Sequence, residues 1–114
     1  MEKRVQDEAQ LDRVFLALAS TTRRRILDIV AARPGCTVAE VAEHFDMSRI
    51  GVLKHVNVLE EAGMLASSRS GRERALHFDP VPIRLIHERW SDQYRDFWAG
   101  RLTRLKYAVE KAAS

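Results

Sequence analysis

The sequence predicts a mainly helical protein with one small β-hairpin. Along most of the chain, apolar residues recur at the three- and four-residue spacing of amphipathic helices. Between residues 64 and 78 this pattern gives way to two strand-like segments around a glycine. Three Pro and five Gly interrupt 114 residues, of which 46% are apolar and 31% charged. A single globular domain over residues 1–114 is therefore expected.

The first two helices are predicted from apolar spacing and helix caps. A first run consists of Leu11, Val14, Phe15 and Leu18. Hydroxyl residues at positions 20–22 then supply caps for a second run over residues 26–30. Pro34-Gly35 ends this second helix.

Two further helices are separated by a tight turn. Thr37 and Glu40 match a capping box, which opens a short helix from Val38 to Phe45. Ser48 is a good N-cap for the next helix, which Gly63 ends. This pair of helices is typical of a helix-turn-helix.

A hairpin and one long helix complete the chain. The strand-compatible segments are residues 65–69 and 74–78. Pro80 and Pro82 then precede a helix of about 30 residues, which at roughly 1.5 Å per residue reaches about 45 Å. That length exceeds the body of a domain of this size, so part of the helix is expected to lie against another molecule.

Together these elements predict a winged helix-turn-helix with long N- and C-terminal dimerisation helices. The helix-turn-helix is expected at about residues 37–62, the wing at about 64–78 and the C-terminal dimerisation helix at about 82–112. In this fold the second helix of the pair enters the DNA major groove.

The predicted DNA-binding surface combines that second helix with the wing. If Val52, Val56 and Leu59 face the core, then at about 100° per residue Lys54 and Asn57 point outward. Cations, amides and apolar groups recognise guanine, adenine and the thymine methyl group respectively. The predicted DNA-binding residues are Thr37, Ser48, Arg49, Ile50, Gly51, Lys54, His55, Asn57, Arg69, Arg72 and Arg74.

Four of these residues also have structural interpretations. Gly51 costs about 1 kcal/mol in a helix relative to Ala, a cost explained either by close approach to DNA or by tolerance in a well-packed segment. His55 is expected to be partly buried, with a phosphate contact as the alternative. Thr37 and Ser48 are primarily helix caps.

Charge alone does not identify a partner. The chain has 19 Lys and Arg against 16 Asp and Glu, and its pI is about 9.4. Fifteen of the 19 cations are Arg, whose planar fork suits phosphate and guanine, although genomic base composition produces the same bias. This balance does not separate nucleic-acid binding from ordinary solubility.

Composition and motifs exclude several classes. A single cysteine, Cys36, excludes an intrachain disulfide framework and is expected to serve packing rather than redox sensing. The longest stretch without a charged residue or His, Val14 to Thr22, is too short for the roughly 20 residues of a membrane helix. No catalytic or phosphate-binding arrangement occurs at useful spacing. We expect a cytoplasmic protein that is neither an enzyme nor dependent on a cofactor.

Four segments carry a resemblance to a known family: ALASTTRRRIL, TVAEVAEHFDMS, VLKHVNVLEEAGML and SRSGRERALHF. From Leu18 to Phe78 the chain resembles the ArsR/SmtB winged helix-turn-helix transcriptional regulators. The resemblance implies a dimeric repressor that binds a double-stranded DNA operator. Gly51 and Leu53 stand where the family more often has small hydroxyl residues, so the operator sequence does not follow from it.

The resemblance also bears on metal sensing. The thiolate pair of metal-sensing members would fall at Thr37 and Ala39, which cannot bind a soft metal. On the last helix His87 is the only His, with Glu88 and Asp92 nearby, and a site shared across a dimer is the remaining alternative. The chain is therefore similar to a subgroup without metal ligands, and we predict no metal site.

The long helix contains five of the eight aromatic residues. An apolar stripe about 120° wide consists of Ile83, Ile86, Trp90, Tyr94, Phe97, Trp98, Leu105 and Ala108. It covers either the monomer's own core or a two-fold interface, and the helix length and the resemblance favour the interface. The predicted homodimer interface is Leu11, Phe15, Trp90, Tyr94, Phe97, Trp98 and Leu105.

The principal alternative is a winged-helix protein interaction module without DNA binding. Such a module would have an apolar or acidic recognition face, which Ile50 and Leu53 fit and Arg49 and Lys54 oppose. An unidentified small-molecule effector is the remaining candidate partner, besides operator DNA and a second copy of the chain.

Overall fold

The computed structural model describes residues 7–113, with all their side chains except those of Ser70 and residues 92–98. Its elements, in chain order, are α1 (Glu8–Leu18), α2 (Thr21–Ala32), α3 (Val38–Ala42), α4 (Arg49–Glu61), β1 (Leu65–Ser70), β2 (Glu73–Phe78) and α5 (Val81–Ala113). This order confirms the predicted mainly helical fold with one hairpin.

The predicted caps start the helices. Thr37 Oγ1 accepts the amide of Glu40 at 3.1 Å, and Glu40 Oε1 accepts the amide of Thr37 at 2.9 Å. Ser48 Oγ accepts the amide of Gly51 at 3.0 Å, and Ser20 caps α2 in the same way. Each side chain satisfies an amide that the first turn of a helix leaves without a partner.

The structure corrects the end of α3. This helix stops at Ala42, three residues before the predicted end at Phe45. The amides of His44 and Phe45 bond to carbonyls three residues earlier, at 3.0 and 3.1 Å, so the chain tightens into a turn. The Phe45 ring is half-buried and lies 5.0 Å from the guanidinium carbon of Arg25 on α2. We infer that packing against α2, rather than helix propensity, sets this boundary.

One hydrophobic core joins α1–α4 to the hairpin. Its fully buried larger side chains are Ile26, Val30, Val41, Val52, Val56, Leu59, Met64 and Leu76. Burial of each contributes roughly 1.5–3 kcal/mol. Three of these, Val52, Val56 and Leu59, are the α4 residues predicted to face inward, and that prediction is confirmed.

The wing is an antiparallel hairpin with a two-residue loop. Its register runs from Leu65 opposite Phe78 to Ser70 opposite Glu73. Gly71, in the loop, has φ +67°, a conformation that costs glycine little and that tight hairpin turns require.

The segment before α3 pairs with the wing. The Gly35 amide donates to the Leu76 carbonyl at 2.7 Å, and the Leu76 amide donates to the Cys36 carbonyl at 2.8 Å. Thr37 lies in an isolated bridge opposite Ala75. These contacts fix the strands of the wing relative to the start of α3.

The last helix extends beyond the rest of the molecule. Its 33 residues span about 50 Å at 1.5 Å each. Ile83 and Ile86, near its start, pack against the core. Residues 99–113, here called the distal segment, are exposed apart from the half-buried Gly100. The radius of gyration is 20.0 Å, against about 13 Å for a compact chain of this length.

Within residues 7–113, no helix combines the length and apolar character needed to span a membrane.

Candidate nucleic-acid interface

Helix α4 presents opposite chemistry on its two sides. Lys54 and Asn57 are exposed, whereas Val52 and Val56 are fully buried. At the start of the same helix the Ile50 side chain is 69% exposed. The predicted outward orientation of Lys54 and Asn57 is confirmed, and α4 therefore offers cationic, amide and apolar groups on one accessible side.

The first turn of α4 supplies a local reason for Gly51. A Cβ atom there would lie 3.3 Å from Ser48 Oγ and 3.7 Å from Met47 Sδ. The first distance is tighter than ordinary packing, and the Gly51 amide must stay close to Ser48 because it donates to that hydroxyl. This crowding was missed from the sequence because it depends on where the capping Ser48 hydroxyl lies relative to the Gly51 Cα.

A cleft of about 230 Å³ lies between the start of α4 and the wing. It brings together six predicted DNA-binding residues with three others, and its lining is Thr37, Val38, Arg49, Ile50, Leu53, Arg69, Arg72, Glu73 and Arg74. Four guanidinium groups against one carboxylate make the cleft electropositive. A concave surface of this sign attracts the phosphate backbone of DNA.

The four arginines of the cleft differ in their partners. Arg74 Nη2 pairs with Glu60 Oε1, and Arg74 Nε lies 3.4 Å from Ser67 Oγ. This ion pair, with side chains 32% and 22% exposed, connects the wing to α4. Arg49 is exposed at the start of α4, and Arg69 and Arg72 are exposed on the wing. The pairing of Arg74 with Glu60 was not predicted, because the two lie on different elements.

His55 faces α2 rather than the cleft. Its ring is half-buried, and Nδ1 lies 3.2 Å from Arg23 Nη1. A guanidinium only donates hydrogen bonds, so Nδ1 of His55 is the acceptor in this contact. The predicted partial burial of His55 is confirmed.

The most basic run of the sequence, Arg23 to Arg25, is engaged by the fold. Arg23 and Arg24 donate to carbonyls in the last turn of α1 at 2.7–2.9 Å. Arg25 stacks on Phe45. Helix α1 has no basic residue in its own last turn, so these side chains supply the positive charge that a helix C-terminus favours.

An exposed apolar surface runs along α1 and α5. Phe15 and Trp90 are 44% and 48% exposed, and their ring centroids lie 6.3 Å apart. Leu11 is half-buried on the same helix as Phe15, and Arg89 pairs with Glu8 at 3.2 Å across the two helices. The structure thus brings three predicted interface residues together.

The other predicted interface residues lie farther along α5. Leu105 is 60% exposed on the distal segment. The side chains of Tyr94, Phe97 and Trp98 lie outside those described. Exposed apolar residues on α1 and α5 that the predicted set omitted include Leu16, Val81, Leu102, Tyr107 and Val109.

The site contains no metal-binding arrangement among the described residues. Over those side chains, no three His, Cys, Asp or Glu residues come together in a metal-binding group. His87 and Glu88 lie on α5, and the Asp92 side chain is not among those described. Cys36 is 5% exposed, and burial, with a smaller contribution from the Glu40 carboxylate, raises the pKa of its thiol. The thiolate needed for metal binding or oxidation is therefore disfavoured.

Comparison with known proteins places this geometry in a family. A helix-turn-helix domain model matches residues 18–67. The chain is 36% identical over 85 residues to YuzN of Bacillus subtilis, an uncharacterized HTH-type transcriptional regulator. This alignment covers 69% of this chain and 92% of YuzN. It is 34% identical over 62 residues to the transcriptional repressor SdpR of the same organism. This second alignment covers 54% of this chain and 68% of SdpR.

A solved structure gives the same result. The crystal structure of an ArsR family transcriptional regulator aligns with a TM-score of 0.68 and 33% identity, over 79% of this chain and 97% of the other. Members of this family are DNA-binding regulators, not enzymes. The helix-turn-helix, the wing and these matches together show that the chain belongs to the ArsR family of winged helix-turn-helix transcriptional regulators.

Proposed function

We propose that the chain is a sequence-specific repressor that binds its operator as a homodimer. The single observation that carries this proposal is the electropositive cleft that the start of α4 forms with the wing. This cleft lies next to the exposed side of α4. Repression is supported by the similarity to SdpR, a transcriptional repressor.

In this proposal α4 recognises bases and the wing contacts the DNA backbone or the minor groove. Lys54 and Asn57, with Arg49 and Ile50, enter the major groove and meet base edges. The wing arginines, of which Arg72 is in the hairpin loop, contact the phosphate backbone or the minor groove. Contacts of the second kind hold the protein on any duplex, and only those of the first kind distinguish sequences.

The proposed dimer uses the exposed apolar surface of α1 and α5. Each chain has one recognition helix, so two chains related by a dyad would contact half-sites roughly 10 base pairs apart, or a multiple of that spacing. Phe15 and Trp90 are large aromatic residues left about half exposed in the monomer. Burying such rings is a principal source of interface stability.

The test compares two single substitutions on DNA selected from a random pool by the wild-type protein. Lys54→Ala is expected to lose about 1–3 kcal/mol on the selected operator and much less on random duplex, because it removes a base contact. Arg72→Ala is expected to weaken binding to both. It should also reduce the slope of log affinity against log salt by about 1, since one phosphate contact releases about one counterion.

Fluorescence anisotropy over a salt series measures both quantities. Lys106→Ala, which removes the same charge from the exposed distal segment, is the matched control. Equal losses for Lys54→Ala on operator and random duplex would make Lys54 another phosphate contact. Failure of the wild-type protein to enrich any sequence would overturn sequence-specific binding itself.

A further inference from the structure

The Arg23 side chain connects two helices that have separate roles in the proposed function. Its Nε donates to the Ala17 carbonyl and its Nη2 to the Leu16 carbonyl, both at 2.9 Å. Its Nη1 lies 3.2 Å from Nδ1 of His55, near the middle of α4. One rigid guanidinium therefore bonds both to the last turn of α1, which carries part of the apolar surface, and to the recognition helix.

The geometry of the Arg23 contacts fixes the direction in which the guanidinium meets His55. A guanidinium is planar and offers its donors at fixed angles, so its bonds to two carbonyls of α1 fix the direction of the remaining Nη1 donor. His55 must meet that donor with the lone pair of Nδ1. The side of α4 that carries His55 is thereby held against α2, and the rotation of α4 about its own axis sets where Lys54 and Asn57 point.

Arg24 provides a comparison within the same chain. Its Nη1 donates to the Leu18 carbonyl at 2.7 Å, so it also stabilises the end of α1. Among the described residues its side chain also makes a long hydrogen bond, 3.4 Å from Nη2 to Thr21 Oγ1 on its own helix. Arg23 and Arg24 thus share the cap on α1, with two carbonyl bonds from Arg23 and one from Arg24, and Arg23 adds a bond to α4.

From this difference we infer that Arg23 is a positioning residue for DNA recognition, acting through His55 to set the orientation of α4 relative to α1. The inference rests on the proposed function, because it assigns base recognition to α4 and subunit contact to α1. Recognition surfaces tolerate little displacement, since base contacts require side chains held within about 0.5 Å of their working positions.

The experiment is a double-mutant cycle on the full chain, with the selected operator and a random duplex as probes. The variants are Arg23→Gln, His55→Leu and the double variant, with Arg24→Gln as the matched control. We expect Arg23→Gln and His55→Leu each to weaken operator binding about fivefold, and the double variant to be no weaker than either single variant. Binding to random duplex should change less than about twofold, because phosphate contacts do not require the same orientation of α4.

Two further measurements separate positioning from a purely structural role. Thermal unfolding should show a loss for both Arg23→Gln and Arg24→Gln, the larger for Arg23→Gln because it removes two bonds to α1 carbonyls against one, while only Arg23→Gln lowers operator affinity. His55→Gln retains an acceptor oxygen toward Arg23 and should recover most of the operator affinity lost in His55→Leu. If Arg23→Gln does not fold, the comparison of His55→Leu with His55→Gln carries the test.

The results that would overturn this inference differ from the result that would overturn the proposed function. Additive effects in the cycle would mean that His55 acts independently of Arg23, for example by touching DNA itself, and would overturn the inference. Equal operator binding by Arg23→Gln and Arg24→Gln would reduce Arg23 to a cap. If the wild-type protein selects no operator, the proposed function has failed before these variants are compared.

Discussion

At the scale of single residues, the arginines show what sequence can and cannot predict. The exposed positions of Arg69 and Arg72 follow from a hairpin that local patterns identify. The cap that Arg23 provides on α1 and the ion pair of Arg74 with Glu60 depend on distances between elements, which no local pattern contains. Arg25, stacked on Phe45, belongs to the same class. Residue type was therefore a guide to which side chains are able to bind DNA, and tertiary contacts decide which remain available.

Cys36 gives a prediction about reactivity. Burial raises the pKa of its thiol, so the neutral form is favoured and alkylation, which needs the thiolate, should be slow. Iodoacetamide labelling at pH 8, followed by mass spectrometry, is expected to be at least about tenfold slower in native protein than in denaturant. Equal rates in both conditions would show that the thiol is accessible.

The same shift predicts a dependence of stability on pH. Because the pKa of Cys36 is raised in the folded state, its contribution to stability is fully present below the ordinary pKa of a thiol. It is lost as pH rises through the raised value. The free energy of unfolding should therefore fall more steeply at alkaline pH in wild-type protein than in Cys36→Ala, as measured by urea titration. Parallel pH profiles would assign the alkaline loss to other groups.

At the scale of elements, local chemistry predicted where helices start better than where they end. The capping box of Thr37 and Glu40 and the Ser48 cap act within four residues, so the sequence contains everything they need. The end of α3 was misplaced because Phe45 turns toward α2, a tertiary contact. Pairing of residues 35–37 with β2 was likewise invisible in the sequence, since it joins positions about 40 residues apart along the chain.

The capping box gives a stability prediction for α3. Thr37→Ala removes the oxygen that accepts the Glu40 amide, and the expected loss in the free energy of unfolding is about 1 kcal/mol. Thr103→Ala, an exposed position in the distal segment, is the control and should cause no comparable loss. Urea unfolding followed by circular dichroism measures both. A Thr37→Ala midpoint equal to that of the control would contradict an energetic role for the cap.

At the scale of the whole molecule, helix length was the informative feature. The predicted excess of the last helix over the domain body is seen in the 70 Å longest dimension of the structure. The number of residues sets both the length of the helix and the size of the domain. Comparing the two indicated that part of this helix must pack against a further surface. It did not identify that surface, since an apolar stripe has the same pattern whether it meets its own chain or a second copy.

The dimer is tested by placing a charge in the apolar surface. Trp90→Asp is expected to give monomers, because an unpaired carboxylate would be buried against the partner. Sedimentation velocity at micromolar concentration should show a dimer for wild-type protein and for Ser68→Asp, an exposed control on the wing. A wild-type monomer under these conditions would remove the homodimer from the proposal.

The exposure of the distal segment links folding to association. Fifteen helical residues that are almost all exposed are marginally stable in water, where helices of about 12–15 residues rarely persist alone. If a second chain covers Leu102, Leu105 and Val109, ordering of this segment is thermodynamically coupled to subunit concentration. Amide hydrogen exchange over residues 99–113 should then slow as the protein is concentrated, while exchange within α2 stays constant. Part of the secondary structure would in this way be a property of the assembly and of its dissociation constant.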